Sequence, residues 1–191
     1  MKQGQAGGQD HTELTRTLIC RLRQGDRQAG VLLDGLYRAR LLRFGQGYLG
    51  NRSEAEDVVQ DVFYRVLASD VVPDDFRTWV YRITRNRCVD LLRVRGHRGV
   101  VEELVEELEL PVRLTGNLTH MVRQERQEHL ARMVRSLPLD QQEVIRLRYT
   151  EGLSRPEIAE VLGLAESVVK SRICEGLEAL RRQAARREKK G

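Results

Sequence analysis

The segment from residue 153 to 182, LSRPEIAEVLGLAESVVKSRICEGLEALRR, most constrains the fold because its pattern specifies two helices separated by a short turn. Ser154 and Glu157 have the S-x-x-E spacing of a capping box at the start of the first helix. Gly163 is placed to end that helix in a left-handed conformation, and a second helix starts at Glu166. This pattern predicts a helix-turn-helix whose second helix can enter a DNA major groove, although an αα-hairpin that merely packs shares the signature.

The second helix of this segment has two chemically different faces. Val169, Ile173, Leu177 and Leu180 recur at helical spacing and predict the buried side. The opposite side carries the polar and basic residues Lys170, Ser171, Arg172, Arg181 and Arg182. Aromatic residues make up only 5% of the chain and charged residues 32%, so a single large core is not expected. The sequence predicts an all-α protein of two small helical bundles.

The charge pattern favours a polyanionic partner. The formal net charge is +5, and two basic blocks flank an acidic connector. Cysteine and histidine residues are too scattered for a metal site or a disulfide framework, and we expect no cofactor. The start of the chain has no apolar core for a signal peptide, and no stretch approaches transmembrane length. We therefore expect a cytoplasmic protein with no membrane insertion.

Breaks in the helical pattern predict the domain organisation. We expect a disordered N-terminus at 1–11, a first bundle at 12–96, an acidic linker at 97–118, a second bundle at 119–183 and a basic tail at 184–191. The first bundle is predicted to contain helices at Thr12–Arg23, Gln28–Leu49, Ser53–Ala68 and Phe76–Arg95, with Ser53 as an N-cap. The second is predicted to begin near Thr119 and to contain four helices. Its breaks are expected near Leu137-Pro138, Glu151-Gly152 and Gly163-Leu164.

A glycine motif inside the second predicted helix is a misleading match. Gly45, Gly47 and Gly50 fit G-x-G-x-x-G, the dinucleotide-binding fingerprint. That fingerprint requires a buried strand before it and a helix N-terminus after it, whereas the preceding LYRARLLRF is helical in pattern. We therefore do not assign a nucleotide site here.

The predicted helix at Ser53–Ala68 carries one acidic stripe. Val58, Val59, Val62, Phe63 and Val66 are expected to face inward, whereas Asp57, Gln60, Asp61 and Tyr64 fall at i, i+3, i+4 and i+7. An acidic stripe repels DNA, so it is either a solvated face or a surface for docking another protein. The residue pattern alone favours the solvated face.

The predicted helix at Phe76–Arg95 combines arginines with aromatic residues. Six arginines stand against the single Asp90, interleaved with Phe76, Trp79 and Tyr81, and Val80, Ile83, Leu91 and Val94 can form the core face. Cations for phosphates and flat rings for exposed bases are what unpaired DNA requires. For Trp79 and Tyr81 individually a core position is favoured over base stacking, while the arginines together favour phosphate contact.

Four segments in a fixed order carry a family resemblance. They are AEDVVQDVF (55–63), FRTWVYRITRNRCVDLLR (76–93), LPLDQQEVIRLRYTEGLSRPEIAEVLG (137–163) and VVKSR (168–172). Together they resemble a sigma factor of bacterial RNA polymerase, of the extracytoplasmic-function subgroup of the sigma-70 family. The resemblance covers the chain from about residue 12 to residue 182.

The resemblance implies a promoter-specificity factor that works with core RNA polymerase and promoter DNA and is not an enzyme. The first bundle is similar to sigma region 2, which docks on the polymerase clamp helices and opens the −10 element. The second is similar to region 4, which reads the −35 element and touches the polymerase flap. An anti-sigma factor is a further partner expected from the family.

The resemblance also assigns candidate residues. Asp57, Gln60 and Asp61 match the clamp-docking segment, and Tyr64 completes the stripe. The loop Ser69–Asp75 and Asn86 match positions that capture a flipped −10 base. With their neighbours, they give the −10 set Asp74, Asp75, Phe76, Arg77, Trp79, Arg82, Asn86 and Arg87. Lys170, Ser171, Cys174 and Glu175 match the −35-reading face. The −35 set is Arg155, Glu166, Ser167, Lys170, Ser171, Arg172, Cys174 and Glu175.

Three positions depart from the family pattern in the predicted reading helix. Val168 stands where Thr is common, Cys174 where a His or aromatic residue is common, and Glu175 where Arg is common. A glutamate can accept from a cytosine amino group, but nearby phosphates repel it. The −35 sequence is therefore unusual or the groove affinity is weak. The acidic linker can mimic nascent RNA, or it is an ordinary solvated helix.

Two other function classes compete with this interpretation. A stand-alone helix-turn-helix regulator would bind duplex DNA by itself and would not need the acidic stripe at 55–64. A nucleic-acid enzyme with a targeting domain would require clustered carboxylate metal ligands or a nucleophile with a base partner, and the sequence shows neither.

Overall fold

The computed structural model describes residues 6–69, 73–94 and 130–188, with side chains described at 13–69, 73–94 and 130–185. The described residues are helical and contain no strand. The chain divides into two compact units, Met1–Arg98 and Gly99–Gly191. This confirms the predicted all-α fold of two small helical bundles. The predicted linker at 97–118 lies outside the described residues.

The first unit contains four helices, of which the first begins earlier than expected. They are α1 (Ala6–Arg23), α2 (Arg27–Leu49), α3 (Arg52–Ala68) and α4 (Phe76–Val94). Residues 6–11, predicted to be disordered, therefore belong to α1. Once a helix is nucleated by packing, adding turns costs little free energy, so the glycines at 7 and 8 do not stop it.

The N-cap of α3 differs from the predicted one. Asn51, not Ser53, precedes the helix, and its side-chain oxygen accepts from the backbone N–H of Glu54 at 3.3 Å. Both residues are good capping types, but only Asn51 follows Gly50, which ends α2 in the left-handed conformation with φ of 66°. The loop between α2 and α3 is thus shorter than the sequence suggested.

The core of the first unit is built on aromatic residues of α2 and α4. The ring centroid of Phe76 lies 5.3 Å from that of Tyr37, and the ring centroid of Tyr81 lies 5.2 Å from that of Phe44. Edge-to-face pairs of this kind add stabilisation beyond the burial of their surface. Burial raises the pKa of the Tyr37 hydroxyl, which lies 3.0 Å from the hydroxyl of Thr15.

The glycine motif of α2 serves helix packing. Gly45 and Gly47 are buried within α2, and Gly50 is its C-cap. A Cβ on Gly45 would lie 3.3 Å from the Cβ of Ala55, so the glycine lets α3 approach α2 closely. No strand precedes these glycines in the part of the chain that the structure describes, so they do not form a dinucleotide loop.

The second unit has its helix breaks where the sequence predicted them. Residues 130–135 are the described part of α5, followed by α6 (Leu139–Ile145), α7 (Arg155–Leu162) and α8 (Glu166–Glu188). A turn of π-helix at Arg146–Thr150 extends α6, and its i→i+5 bond runs from the Glu151 N–H to the Arg146 carbonyl at 3.1 Å. The predicted start near Thr119 lies outside the described residues. The last helix continues past the predicted end at 183, as its alanines and arginines favour.

Candidate docking and nucleic-acid interfaces

The helix-turn-helix forms as its capping residues predicted. The backbone N–H of Ser154 donates to the Glu157 carboxylate at 2.6 Å, and the N–H of Glu157 donates to the Ser154 hydroxyl at 3.4 Å. Pro156 lies in the first turn of α7, where no N–H is needed. Gly163 ends α7 with φ of 65°, a conformation that L side chains rarely adopt. The turn at 163–165 therefore follows from local chemistry.

Helix α8, the predicted recognition helix, buries its apolar side as expected. Val169 and Ile173 are buried, whereas Leu177 and Leu180 are half-buried. Seven of the eight residues proposed for −35 contact are exposed: Arg155, Glu166, Ser167, Lys170, Ser171, Cys174 and Glu175. An exposed polar face of this kind can contact phosphates and base edges.

Arg172 is the exception in this set. Its side chain is 27% exposed, and its Nε lies 3.3 Å from the Asp140 Oδ2 at the start of α6. The guanidinium is directed toward the bundle. The sequence placed Arg172 on the open basic face, and its ion pair with Asp140 was missed because that partner is distant in sequence.

The acidic stripe on α3 is exposed to solvent. Asp57, Gln60, Asp61 and Tyr64 are all exposed, and Tyr64 is 74% exposed. The opposite face is buried as predicted, from Val58 through Val66. At this exposure Tyr64 gains nothing from the core, and the stripe combines two carboxylates, an amide and one aromatic ring open to solvent.

One ion pair links the acidic stripe to α4. The Arg87 Nη2 donates to the Asp61 Oδ2 at 3.1 Å, and both side chains remain partly exposed. A candidate DNA-contacting residue is thus adjacent to a candidate polymerase-contacting residue.

Two of the aromatic residues on α4 belong to the core. Phe76 and Tyr81 have no exposed surface, so neither can stack on a base in this structure. Phe76 was among the residues proposed for −10 contact, and its burial contradicts that assignment. Val94, predicted for the core face, is instead 87% exposed at the end of α4. The helical period predicted which residues of α4 share a face, but the contacts of Phe76 and Tyr81 with aromatic rings of α2 decide which residues are buried.

The outer side of α4 brings together the remaining candidates. Trp79, Arg82 and Asn86 are spaced at i, i+3 and i+7 and so share one face. Asn86 is exposed, whereas Trp79 and Arg82 are half-buried, as are Arg77 and Arg87. Trp79 packs on Phe76 with ring centroids 5.9 Å apart, which holds the indole at the surface of the unit.

Both candidate aspartates before α4 have structural contacts. The Asp75 Oδ1 accepts from the backbone N–H of Thr78 at 3.2 Å and so caps α4. The Asp74 Oδ1 lies 2.9 Å from the Arg23 Nη1 at the end of α1. Arg23 was not among the sequence-predicted residues, and no local signal could have revealed it because its partner is 51 positions away. Residues 70–72 of the predicted capture loop lie outside the described residues.

A groove in the second unit was also missed. Its volume is about 230 Å³, and it is lined mainly by apolar side chains of α5, the π-turn and α8: Leu130, Ala131, Val134, Ile145, Arg146, Tyr149, Thr150, Leu177 and Leu180. Tyr149 is 57% exposed at its edge. The exposed apolar positions of the π-turn were a possible signal, but a period of 3.6 does not describe an i→i+5 turn.

Two further features bear on the kind of protein this is. Among the described residues no group of three or more His, Cys, Asp or Glu side chains could hold a metal ion. Within the same residues no helix has both the length and the apolar character to cross a membrane.

Comparison with known proteins decides the family. Residues 34–98 match the family described as "Sigma-70 region 2", and residues 127–180 match "Sigma-70, region 4". ECF RNA polymerase sigma factor SigW of Bacillus subtilis is 30% identical over 181 residues, which cover 86% of this chain and 94% of SigW. The chain belongs to the extracytoplasmic-function sigma factors of the sigma-70 family.

Two further relatives agree with this membership. RNA polymerase sigma-H factor of Pseudomonas aeruginosa is 30% identical over 184 residues, covering 88% of this chain and 92% of that protein. The solved structure of CnrH in complex with the cytosolic domain of CnrY has a TM-score of 0.64 and 26% identity, over 90% of this chain and 97% of CnrH. This sigma factor is therefore a polymerase-binding, promoter-specific initiation factor and not an enzyme. A stand-alone regulator is not favoured.

Proposed function

We propose a division of labour in which the first unit of this sigma factor docks on core polymerase and holds the opened −10 strand, while the second reads −35 duplex DNA. The observation that carries this proposal is the pair of displayed surfaces: the acidic stripe on α3 and the open polar face of α8. The α3 stripe is acidic and repels DNA, whereas the exposed −35 candidates combine cations and neutral polar groups with two carboxylates, so a single sigma factor can contact protein and nucleic acid at separate places.

The α3 stripe is proposed as the polymerase-docking surface. Asp57 and Asp61 offer carboxylates to basic groups on the clamp, and Gln60 adds an amide between them. Tyr64 supplies aromatic surface, which is enriched at protein interfaces. Asp61 is already paired with Arg87 in the free protein. On docking, a basic group of the polymerase must therefore either replace Arg87 or bind Asp61 together with it.

The outer face of α4 is proposed as the site for the −10 strand. Trp79 is held against Phe76 and partly exposed, which suits a ring that stacks on an unpaired base. Arg82, Arg87 and Asn86 supply cations and an amide beside it. Extruding a base costs a few kcal/mol, and a preformed face recovers that cost without reorganisation. Asp74 and Asp75 contribute by fixing the start of α4, and Phe76 contributes only through the core.

The apolar groove of the second unit is proposed as the contact for the polymerase flap. Its apolar lining and the exposed ring of Tyr149 suit an apolar helix face from the partner. The groove is built from α5, the π-turn and the C-terminal half of α8, whereas the −35 candidates lie on α7 and the N-terminal half of α8. Both contacts can therefore be made at once.

An anti-sigma factor is proposed as a further partner. CnrH, whose fold is similar, was solved with the cytosolic domain of CnrY. We place this sigma factor with the polymerase in the cytoplasm.

In-vitro transcription tests the proposed function. The full chain is added to bacterial core RNA polymerase on a fragmented genomic library, and transcript start sites are mapped. We expect discrete start sites that depend on the chain and that share sequence elements near −35 and −10. Duplex binding by the chain alone, with no chain-dependent start sites, would instead support a stand-alone regulator.

A further inference from the structure

The start of α6 contacts the DNA-reading helix through two polar residues that lie outside the candidate −35 set. The Asp140 Oδ2 lies 3.3 Å from the Arg172 Nε, and the Gln141 Nε2 donates to the Glu175 Oε2 at 3.4 Å. The other carboxylate oxygen of Asp140 accepts from the backbone N–H of Gln141 at 3.0 Å. The two residues are thus fixed to each other and to consecutive turns of α8.

Close packing of α8 against α6 side chains holds this contact in place. Gly176 follows Glu175, and a Cβ on it would lie 3.2 Å from the Ile145 Cγ1 and 3.5 Å from the Gln141 Cβ. A larger residue at this position would require the Ile145 side chain to shift, so the glycine favours the close approach of α8 to α6. The spacing between Gln141 and Glu175 is therefore set by the fold and not by two mobile surface chains.

The orientation of the Gln141 amide is set by Glu175 at some cost. A carboxylate only accepts hydrogen bonds, so the amide must present its Nε2 to Glu175. Its Oε1 is consequently buried, with no hydrogen-bond partner among the described residues. A buried oxygen without a partner is destabilising, and an apolar side chain would avoid that cost.

We infer that Asp140 and Gln141 set the base preference of the recognition helix. Gln141 holds the Glu175 carboxylate by one oxygen and leaves the other for the exocyclic amino group of a cytosine, the base donor that a carboxylate suits. Asp140 holds Arg172 back from the DNA phosphates. This inference rests on the proposed reading of −35 duplex by α8, and it resolves the opposed expectations for Glu175 in favour of an altered preference.

Selection from a randomised −35 region tests the inference. Holoenzyme reconstituted from the full chain and bacterial core polymerase is incubated with duplexes randomised upstream of a fixed −10 element, and the bound sequences are counted. We expect the wild-type chain to enrich cytosine at one position. Gln141→Ala should lower that preference about tenfold or more, the effect of losing one hydrogen bond to a charged group. Glu175→Gln should shift the preference toward adenine, the base that a glutamine amide pairs with.

Asp140→Ala gives an independent readout in the same holoenzyme. Loss of the Asp140 carboxylate should free Arg172 to contact phosphates, so the holoenzyme should bind duplex DNA of any sequence more tightly. The salt dependence of its DNA affinity should steepen by about one released counterion. Glu178→Gln is the matched control, because it removes an exposed carboxylate from α8 without touching α6. Thermal unfolding of each variant shows that the second unit remains folded.

The outcomes separate the two proposals. If the wild-type chain enriches an upstream sequence and Gln141→Ala enriches the same one with equal preference, the inference is wrong while −35 reading stands. If the wild-type chain enriches no upstream sequence, −35 reading fails and the inference falls with it. A cytosine preference that weakens in Gln141→Ala but not in Glu178→Gln supports the inference.

Discussion

The two units of this sigma factor display their candidate DNA residues in opposite ways. On α8, six of the seven proposed residues are exposed and stand on a helix anchored from behind by Val169 and Ile173. On α4, Trp79, Arg77, Arg82 and Arg87 are half-buried, and Phe76 is wholly in the core. The difference fits the two forms of DNA that we propose for these faces. Reading a duplex requires a helix that projects into a groove, whereas holding a single strand requires a rigid surface with recessed rings.

The two units also differ in the ion pairs that their candidate residues make. In the first unit, Arg87 contacts Asp61 and Arg23 contacts Asp74, so the proposed polymerase and DNA surfaces share their charges. In the second unit, Arg172 is held by Asp140, while Lys170 has an exposed side chain on the open face. Surface pairs such as these contribute at most about 1 kcal/mol each to stability, so they guide contacts rather than hold the fold.

The largest expected effect tests whether Phe76 is a core residue. Phe76→Ala should lower the free energy of unfolding of the first unit by about 3–5 kcal/mol, since it opens a cavity beneath α4. Urea unfolding followed by tryptophan fluorescence measures this directly, because Trp79 is the single tryptophan and packs on Phe76. Tyr64→Ala, at an exposed position, should change stability by less than about 0.5 kcal/mol. If the Phe76→Ala protein were as stable as the wild type and lost only binding to the −10 strand, Phe76 would be a DNA-contacting residue and not a core residue.

The second-largest expected effect is on the affinity of the first unit for core polymerase. Asp61→Arg should weaken binding to core polymerase at least about thirtyfold, because it reverses a charge at the centre of the stripe and repels Arg87. Co-purification and a competition assay against the wild-type chain measure it. Glu56→Arg is the matched control, since Glu56 is an exposed carboxylate on α3 that pairs with Arg52 beside the stripe. Equal binding by the two variants would refute the docking assignment.

The smallest expected effect distinguishes the contributions of Lys170 and Arg172 to DNA binding. Lys170→Ala should weaken −35 duplex binding by holoenzyme several-fold and reduce the salt slope by about 0.9, as expected for one lost phosphate contact. Arg172→Ala should change the slope less, because its guanidinium is held by Asp140. Titrations at several salt concentrations measure both variants. If Arg172→Ala has the larger slope change, the ion pair with Asp140 does not persist on DNA.

Much of the fold was predictable because its signals are local. The capping box at Ser154 and Glu157, the left-handed Gly163 and the buried valines of α3 all depend on residues within one or two helical turns. Errors arose where two signals of equal strength compete, as with Asn51 and Ser53 for the cap of α3, or where helix propagation extends past glycine, as in α1.

The candidate sites were predictable only in part. The displayed stripe on α3 and the open face of α8 follow from helical periodicity. The burial of Phe76, the pairing of Arg172 with Asp140 and the contact of Gln141 with Glu175 join residues far apart in sequence. No periodicity encodes such pairs, because they depend on how helices pack.

The sequence by itself determined the helix breaks of the second unit, which faces of α3 and α8 are apolar and which family this sigma factor belongs to, since capping, period and motif order are properties of neighbouring residues. Only the tertiary structure decided which aromatic rings of α4 are buried, which arginine of α8 is held back and where the groove of the second unit lies. The physical reason is that burial and long-range pairing depend on the distances between packed helices, which no short stretch of sequence contains.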